Sequence, residues 1–288
     1  MYFVREIKLI KRHLFRRWES EKLLRAAYRE TYGRELNYEN PRTFSEKLFH
    51  RMISMDWAGD TEFTERTDKY LVRDYVRKKI GEKYLVKLIW HGTDPRRIPF
   101  ETLPDRYVIK TNHGSGGHLL VTGPVDRPAV VKHFSELLKE NYYWREREYQ
   151  YYKIEPRIMI EELIDDGVHL GPLDFRFWCF HGVTELVQVT NHPNSFIAFY
   201  DAQWGKLNLS HRIGYFQETE TAKPANLSEM LSVAETLARD FDFVRVDLYN
   251  ARGQIYFGEL TFTPKAGIFH FEPEEWDKIL GAKWRLSV

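Results

Sequence analysis

The sequence predicts an α+β fold with a mainly helical N-terminal region. Residues 1–57 are rich in Arg, Lys, Glu and aromatic side chains, and their apolar positions follow a helical period. From about residue 84 the pattern changes to short strands separated by several gaps of hairpin length. Helices interrupt these strands without strict βαβ alternation, which favours largely antiparallel sheets.

Composition narrows the class of protein. The 288 residues carry a formal net charge of +1, with 30% charged and 43% hydrophobic side chains. This is enough apolar surface for one large or two modest domains, and it provides no general positive field for nucleic acid. The single cysteine, Cys179, excludes an internal disulfide and multi-cysteine metal sites, and this favours a cytoplasmic protein. Because free cysteines are commonly buried, we expect Cys179 in the core. No apolar run approaches the roughly 18 to 20 residues that cross a bilayer.

The first predicted element is an amphipathic helix whose apolar stripe runs from Phe3 to Trp18. Its basic face could contact an anionic membrane surface. A solvated helical face is the favoured interpretation, because most amphipathic helices simply cover a core.

Two helices follow in the N-terminal third. Thr43 or Ser45 is predicted to cap the first of them. Thr67 or Asp68 is predicted to cap the second, which ends at Gly81.

The remaining elements are strands and two helices. One helix is predicted from Pro128 to about Tyr142, and another follows a capping box from Asn226 to Glu229. Eight segments have strand character: 106–111, 118–121, 157–163, 174–180, 184–190, 196–200, 243–249 and 254–260.

The first segment with chemical character is a strand bearing Lys110 that leads into a glycine-rich loop. A loop without side-chain bulk can bring backbone N–H groups onto phosphate oxygens, and Lys110 adds a point charge. The segment lacks the Lys-Ser/Thr of a P-loop and the third glycine of a dinucleotide fingerprint, and a plain hairpin turn is the alternative. The loop residues are Gly114, Ser115, Gly116 and Gly117.

The second segment is a hairpin formed by residues 244–249 and 254–264. A three-residue loop closing on Gly253 would pair Asn250 with Gln254. A four-residue loop would separate the polar residues of the two strands onto opposite faces. In the predicted register one side of the sheet carries Arg245, Asp247, Glu259 and Thr261.

In that register Asp247 and Glu259 are diagonal neighbours, about 7 to 8 Å apart at the backbone. Two carboxylates at this separation can share a divalent ion. The alternative is an exposed sheet face stabilised by a cross-strand Arg–Glu ion pair.

A third segment, residues 157–164, ends in Glu161 and Glu162. Such a strand end can meet an adenine with backbone groups and a ribose with a carboxylate, although emergence into solvent also explains the acidic pair. His113 and His118 flank the glycine loop and could donate to phosphate or acceptor; ordinary loop histidines explain them equally well.

The order of these segments resembles the ATP-grasp superfamily, and the chain resembles its TupA-like branch, which is associated with teichuronopeptide and other surface-polysaccharide biosynthesis. The resemblance spans roughly Asn40 to Trp284. Its specific stretches are NPRTFSEKL, TDKYLVRDYV, LPDRYVIKTNHGSGG, PRIMIEEL, DFRFWCFHG, RVDLYNARGQIYFGELTFTP and PEEWDKILG.

The resemblance implies an ATP-grasp-like fold in which two α+β subdomains clasp ATP. Residues 1–66 would form the helical N-terminal region, and residues 67–288 the ATP-grasp-like region. Within the latter, residues 84–165 would be the lid and nucleotide subdomain and 166–288 the metal-binding core. The Rossmann-like domain that usually precedes this fold is not expected, because residues 1–66 have a helical pattern.

The resemblance also implies roles for single residues. Lys110 and Arg245 would counter charge on the transferred phosphate, and Asp247 and Glu259 would hold Mg²⁺. Thr261 stands where many members have an asparagine ligand, so the third metal ligand is either the Thr261 hydroxyl or absent. Implied ATP contacts are Lys69, Lys110, His113, Gly114, Ser115, Gly116, Gly117, Glu161, Glu162 and Arg176.

The implied activity is ATP-dependent carboxylate–amine ligation through an acyl phosphate, with ATP and Mg²⁺ as cofactors. The expected partners are a sugar-acid carboxylate on a glycan or its precursor and an amino acid or similar amine, without nucleic acid. The alternatives are a glycan kinase on the same scaffold and a nucleotide-binding or glycan-binding assembly protein without turnover.

Overall fold

A computed structural model of the chain describes residues 15–59, 62–167, 172–191, 196–211 and 220–286. The helices are α1 Arg16–Tyr32, α2 Phe44–Ala58, α3 Glu62–Thr67, α4 Val72–Ile80, α5 Arg127–Leu137, α6 Tyr143–Glu146, α7 Leu227–Ala238 and α8 Glu275–Lys283. The strands are β1 Leu88–Gly92, β2 Arg106–Thr111, β3 Leu119–Thr122, β4 Ile158–Glu162, β5 Asp174–Phe180, β6 Val183–Thr190, β7 Ile197–Tyr200, β8 Phe243–Ala251 and β9 Gln254–Thr261. Within the described ranges, no helix is long and apolar enough to cross a membrane. The predicted α+β class is confirmed.

Local sequence signals explain the starts of α2 and α4. Thr43 caps α2 in a capping box, in which its hydroxyl accepts from the backbone N–H of Glu46 and the Glu46 carboxylate accepts from that of Thr43. Before α4, the Asp68 carboxylate accepts from the backbone N–H groups of Tyr70 and Leu71. The prediction of Thr43 as a cap is confirmed, whereas α4 has Leu71 at its N-cap position without a side-chain cap, and Asp68 stabilises the turn that precedes it.

Other helix predictions need correction. The helix predicted from 128 to 142 ends at Leu137, and the short α6 follows it. Asn226 does not cap α7 with its side chain, because its amide donates to the Gly253 carbonyl and accepts from Asn250. Most of the predicted N-terminal stripe, Phe3 included, lies outside the described residues.

A four-stranded antiparallel sheet has the order β1-β4-β2-β3. One face packs on α5 through a cluster that includes Ile109, Phe134, Ile158 and Ile160. The edge strand β1, with the sequence LIWHG, was not predicted, because a five-residue segment with four half-exposed residues and an exposed His91 carries little strand signal.

A five-stranded antiparallel sheet has the order β7-β6-β5-β8-β9. One face packs on α4 and α7 through residues such as Phe177 and Val246. On the other face, Phe44 of α2 and Trp284 pack against Trp178. The N-terminal helices thus cover one part of this face and leave another part open. Cys179 lies in the core, where burial raises the pKa of its thiol to about 12.

The β8–β9 hairpin differs from its predicted register. Ala251 pairs with Gln254 across a two-residue turn in which Arg252 and Gly253 both have positive φ, as in a type I′ turn. A β-bulge then shifts the register, so that Asp247 lies directly opposite Glu259. The prediction of a three-residue loop and a diagonal pair was wrong, but the two carboxylates do share one face.

Candidate active site

A cleft of about 420 Å³ is lined by residues of both sheets. Lys69 also lines it, from the segment between α3 and α4. The predicted site residues that line the cleft are Lys69, Lys110, Gly114, Ser115, Gly116, His118, Glu161, Glu162, Arg176, Asp247 and Glu259. Residues predicted from segments far apart in the chain therefore meet at one cavity.

The five-stranded sheet presents a row of charged side chains to this cleft. Strand pairing aligns Arg176 of β5 with Asp247 of β8, and Asp247 with Glu259 of β9. Arg245 and Thr261 form the adjacent row. Because residues at i and i+2 of a strand share a face, the two rows point to the same side of the sheet.

Arg245 is buried and holds the two predicted metal-binding carboxylates. Its Nε donates to Oδ1 of Asp247 at 2.7 Å, and its Nη2 donates to Oδ2 of the same carboxylate. The same Nη2 lies 3.5 Å from Oε1 of Glu259 and 3.1 Å from the Thr261 hydroxyl. Neither Arg245 nor Thr261 lines the cleft. Arg245 therefore contacts the two carboxylates from beside them on the same face of the sheet, away from the cleft surface.

The electrostatics of this group follow from burial and pairing. Burial raises the pKa of the Asp247 carboxyl, and the Arg245 guanidinium opposes that rise. Burial would lower the pKa of Arg245, but Asp247 and Glu259 more than offset it and raise that pKa above its ordinary value. Burial likewise acts to raise the pKa of Glu259, yet Lys69 and Arg245 hold it at about 2. Glu259 is therefore an anion at neutral pH.

Asp174 is a cleft residue that sequence reasoning missed. Its Oδ2 accepts from Nε of Arg176 at 2.8 Å and from Nη2 at 2.7 Å, whereas its buried Oδ1 has no hydrogen-bond partner in the described structure. Burial raises the pKa of this carboxyl. The signal available was its position two residues before Arg176 in a strand, which places both side chains on one face.

The four-stranded sheet contributes a second charged group. Glu161 is buried on β4, where its Oε2 pairs with Lys110 and its Oε1 lies 2.9 Å from Nη1 of Arg73. Glu162 is exposed and pairs with Lys87 at 2.7 Å. The Glu161 carboxylate, predicted to meet a ribose, is thus engaged by two cations.

Lys69 connects the glycine loop to the carboxylate row. Its Nζ donates to the Gly114 carbonyl at 2.8 Å and lies 3.4 Å from Oε2 of Glu259. The backbone N–H of Lys69 donates to the carbonyl of Asn112, whose side-chain amide donates to Asp68. These contacts fix the start of the loop beside Glu259.

Two predicted nucleotide-binding residues lie away from the cleft lining. His113 is buried, its Nε2 lies 3.1 Å from the Leu137 carbonyl, and burial lowers its pKa. Gly117 has φ +71°, and a Cβ at this position would approach Leu137 to 2.9 Å. Both residues contact α5, so the structure gives no support to a phosphate contact from His113.

The charged side chains that line the cleft fit a nucleoside triphosphate and a magnesium ion. Lys69, Lys110 and Arg176 supply positive charge, and the loop supplies glycine backbone beside them. Mg²⁺ typically binds one or two carboxylates and keeps several waters, which suits Asp247 and Glu259. Among the described residues no group of three His, Cys, Asp or Glu side chains could hold a metal ion. Thr261 provides no third carboxylate, and its hydroxyl donates a hydrogen bond to Oε1 of Glu259 at 3.0 Å.

Comparison with known proteins identifies the family. The model of the TupA-like ATP-grasp family matches residues 46–285, and the chain therefore belongs to this family of the ATP-grasp superfamily. The resemblance drawn from the sequence motifs is thus confirmed. No curated protein matches the sequence.

Solved structures similar to the chain include ATP-grasp-type ligases. D-alanine–D-alanine ligase from Bacillus anthracis complexed with ATP is 12% identical, with 73% of this chain and 61% of that chain covered and a TM-score of 0.44. D-alanine–D-alanine ligase from Helicobacter pylori is 14% identical, with coverages of 76% and 57% and a TM-score of 0.42. L-amino acid ligase from Bacillus licheniformis is 12% identical, with coverages of 79% and 51% and a TM-score of 0.44. The chain thus spans 61%, 57% and 51% of these three chains.

Proposed function

We propose that the protein is an ATP-dependent carboxylate–amine ligase of surface-polysaccharide biosynthesis, joining an amino acid or similar amine to a sugar-acid carboxylate. One observation carries this proposal. The cations Lys69 and Lys110 line the same cleft as two carboxylates, Asp247 and Glu259. This charge arrangement suits a magnesium-bound triphosphate.

The chemistry needs an activated carboxylate, because a carboxylate is a poor acylating agent at neutral pH. A carboxylate oxygen attacks the γ-phosphorus of ATP, ADP leaves, and an acyl phosphate forms. The amine nitrogen then attacks the acyl carbon, phosphate leaves, and the amide nitrogen loses a proton. When bound, Mg²⁺ neutralises charge on the phosphate oxygens.

The side chains of the chain divide this work between binding and positioning. Lys69, Lys110 and Arg176 lie where they counter negative charge on phosphate oxygens. Arg245 does not line the cleft, so we infer that it acts by orienting Asp247 and Glu259. Asp174 in turn orients Arg176.

The direct test is ADP release with uronic acids as carboxylates and amino acids as amines. The wild type should release ADP and phosphate only when both substrates are present, and the product should be an amide. Asp247→Ala and Glu259→Ala should reduce ADP release by at least about 1,000-fold, because each change removes a contact that stabilises the transition state. Turnover that survives both changes would contradict the metal assignment.

Product analysis separates the ligase from its alternatives. A glycan kinase would leave phosphate on the sugar and need no amine. A binding protein without turnover would show no ADP release that depends on either substrate. Hydroxylamine, which traps acyl phosphates as hydroxamates, reports the first half of the ligase reaction without the natural amine.

A further inference from the structure

A buried polar corner lies beyond the carboxylate row, at the end of β9. Glu259, Thr261 and Thr263 alternate along the strand and its continuation, which directs them to one side. The Thr263 hydroxyl donates to Oε1 of Glu148, and the Glu148 side chain is nearly inaccessible. Glu148 precedes the 3₁₀ turn at Tyr149–Tyr151.

Glu148 lacks the cation that normally accompanies a buried carboxylate. Its hydrogen bonds come from the neutral groups of Thr263 and of Gln150, whose Nε2 lies 3.4 Å from Oε1. No Lys, Arg or His of the described ranges forms an ion pair with it. Buried carboxylates are almost always paired, because an unpaired buried charge is strongly unfavourable.

Gln150 provides a second acceptor at the same corner. Its Nε2 donates to the Thr263 hydroxyl at 2.6 Å, which fixes the orientation of the amide. The Oε1 of that amide is buried without a hydrogen-bond partner in the described ranges, and only 2% of the Gln150 side chain is exposed. A buried acceptor left unpaired costs free energy unless a donor reaches it.

The corner lies close to the cleft, although its three residues are not part of the cleft lining. The charges of Glu259 and Arg245 both act on Glu148, and burial raises the pKa of Glu148 to about 8. Tyr142 bridges the two regions, because a Cβ added at Gly114 of the phosphate loop would lie 3.3 Å from its ring. Tyr151 packs on Tyr142 with ring centroids 4.8 Å apart.

We propose that Glu148 and Gln150 receive the ammonium group of the amine substrate, an inference that rests on the proposed ligase function. An ammonium provides a positive charge that stabilises the ionised form of Glu148, and it provides an N–H donor for the unpaired Oε1 of Gln150. A substrate carboxylate would instead be repelled by the nearby Glu259 anion. The acceptor is therefore a primary amine that enters as a cation and passes one proton to the Glu148 carboxylate before its nitrogen attacks the acyl carbon.

Ligand binding tests this site without turnover. Ethanolamine should raise the melting temperature of the full chain by roughly 3 °C at ten times its Kd. Tetramethylammonium carries the same charge without N–H donors, so it should give no such rise. This comparison uses the wild type alone and holds whether or not any variant folds.

Two variants locate the binding. Glu148→Gln keeps an acceptor for Thr263 but removes the charge, so it should abolish the ethanolamine shift. Glu146→Gln, a nearby carboxylate outside the corner, should retain it. Equal shifts in wild type and Glu148→Gln, equal shifts with the two cations, or no shift in the wild type would overturn the proposal.

The ligase function and the amine site fail in distinguishable ways. Glu259→Ala should lose ADP release if the ligase function is right, while ethanolamine binding persists. Glu148→Gln should still give hydroxamate with hydroxylamine, which is neutral at assay pH, while the KM for the amine rises at least 30-fold. Loss of hydroxamate and amide to the same extent in Glu148→Gln would contradict the amine site alone.

Discussion

The two sheets hold their charged side chains against the cleft in different ways. On the five-stranded sheet, Arg245 is 7% exposed and binds both Asp247 and Glu259. On the four-stranded sheet, the buried carboxylate is Glu161, which is shared by Lys110 and Arg73. In the first group one buried cation is shared by two carboxylates, which Arg176 and Lys69 approach at 3.7 and 3.4 Å, and in the second group two cations share one anion.

This difference separates stability from ligand binding. Removing Arg245 from the five-stranded sheet leaves the buried carboxylate of Asp247 without its bidentate partner, which is costly in a medium of low polarity. Removing Lys110 leaves Glu161 paired with Arg73, so the sheet tolerates the loss. The carboxylates of the five-stranded sheet are therefore held in place by Arg245, whereas Lys110 can exchange its contact with Glu161 for one with a ligand.

The strongest test of this comparison is Arg245→Met. The change leaves Asp247 buried without its bidentate partner, and we expect a loss of about 3–5 kcal/mol in the free energy of unfolding. Urea denaturation at pH 7 measures it. The double variant Arg245→Met with Asp247→Leu should recover part of the loss because no lone charge remains. A loss below about 1 kcal/mol in the single variant would contradict the comparison.

A second test uses Glu148, which unlike Glu161 has no cationic partner in the described structure. Its folded-state pKa is about 8, against 4.5 for an ordinary Glu. Between these values the folded protein keeps a proton that the unfolded chain has lost, so stability falls as pH rises. We expect Glu148 to contribute a loss of about 2 kcal/mol between pH 6 and pH 8.

Urea denaturation at the two pH values gives the free energy of unfolding of wild type and of Glu148→Gln. The difference between the two proteins removes the contribution of the histidines, because both proteins contain them. Glu148→Gln should lack this part of the pH slope, whereas Glu146→Gln should keep it. Parallel slopes in wild type and Glu148→Gln would show that Glu148 is ionised throughout the range.

A third test concerns the bulge that brings Glu259 opposite Asp247. A Cβ at Gly258 would lie 3.0 Å from the Asp247 carbonyl oxygen and 3.2 Å from the Tyr249 ring, so Gly258→Ala should cost about 1–3 kcal/mol through overpacking. Gly253→Ala is the matched control: its φ is +83° and nothing lies within 4 Å, so we expect about 1 kcal/mol from backbone strain alone.

Function should distinguish the two glycines more clearly than stability does. Gly258→Ala moves Glu259 out of line with Asp247, and ADP release should fall at least tenfold. Gly253→Ala lies at the far turn and should retain ADP release. Equal activity in both variants would mean that the bulge is not needed to align the carboxylates.

The hairpin also shows how far the sequence determines the site. The predicted three-residue loop placed Asp247 and Glu259 on one face, and the observed register differs from the predicted one by an even shift at these residues, which preserves the face. The two-residue turn alone would have placed them on opposite faces, and the bulge at Gly258 corrects this. A single glycine in a strand indicates a bulge, but it does not indicate which residues pair across it.

Other parts of the site depend on contacts that no local pattern contains. Lys110 and the glycine loop stand out in the sequence because strand, lysine and glycines are contiguous. Glu148 lies in a charged and aromatic stretch without clear periodicity, and its burial arises from Thr263, more than a hundred residues later. The role of His113 stayed open in the sequence, because a histidine beside a glycine loop can face either a ligand or a neighbouring helix, and in the structure its Nε2 lies 3.1 Å from the Leu137 carbonyl.

The smallest expected effect on stability comes from Lys110→Met in the four-stranded sheet. Glu161 stays paired with Arg73, so the loss in free energy of unfolding should be about 1 kcal/mol or less. Loss of a charged contact to phosphate should weaken the binding of a non-hydrolysable ATP analogue about 10- to 100-fold, as measured by calorimetry. Lys87→Met, which breaks only the exposed pair with Glu162, should change neither quantity. If Lys110→Met destabilised the fold as much as Arg245→Met, the two sheets would not differ in how they hold their charges.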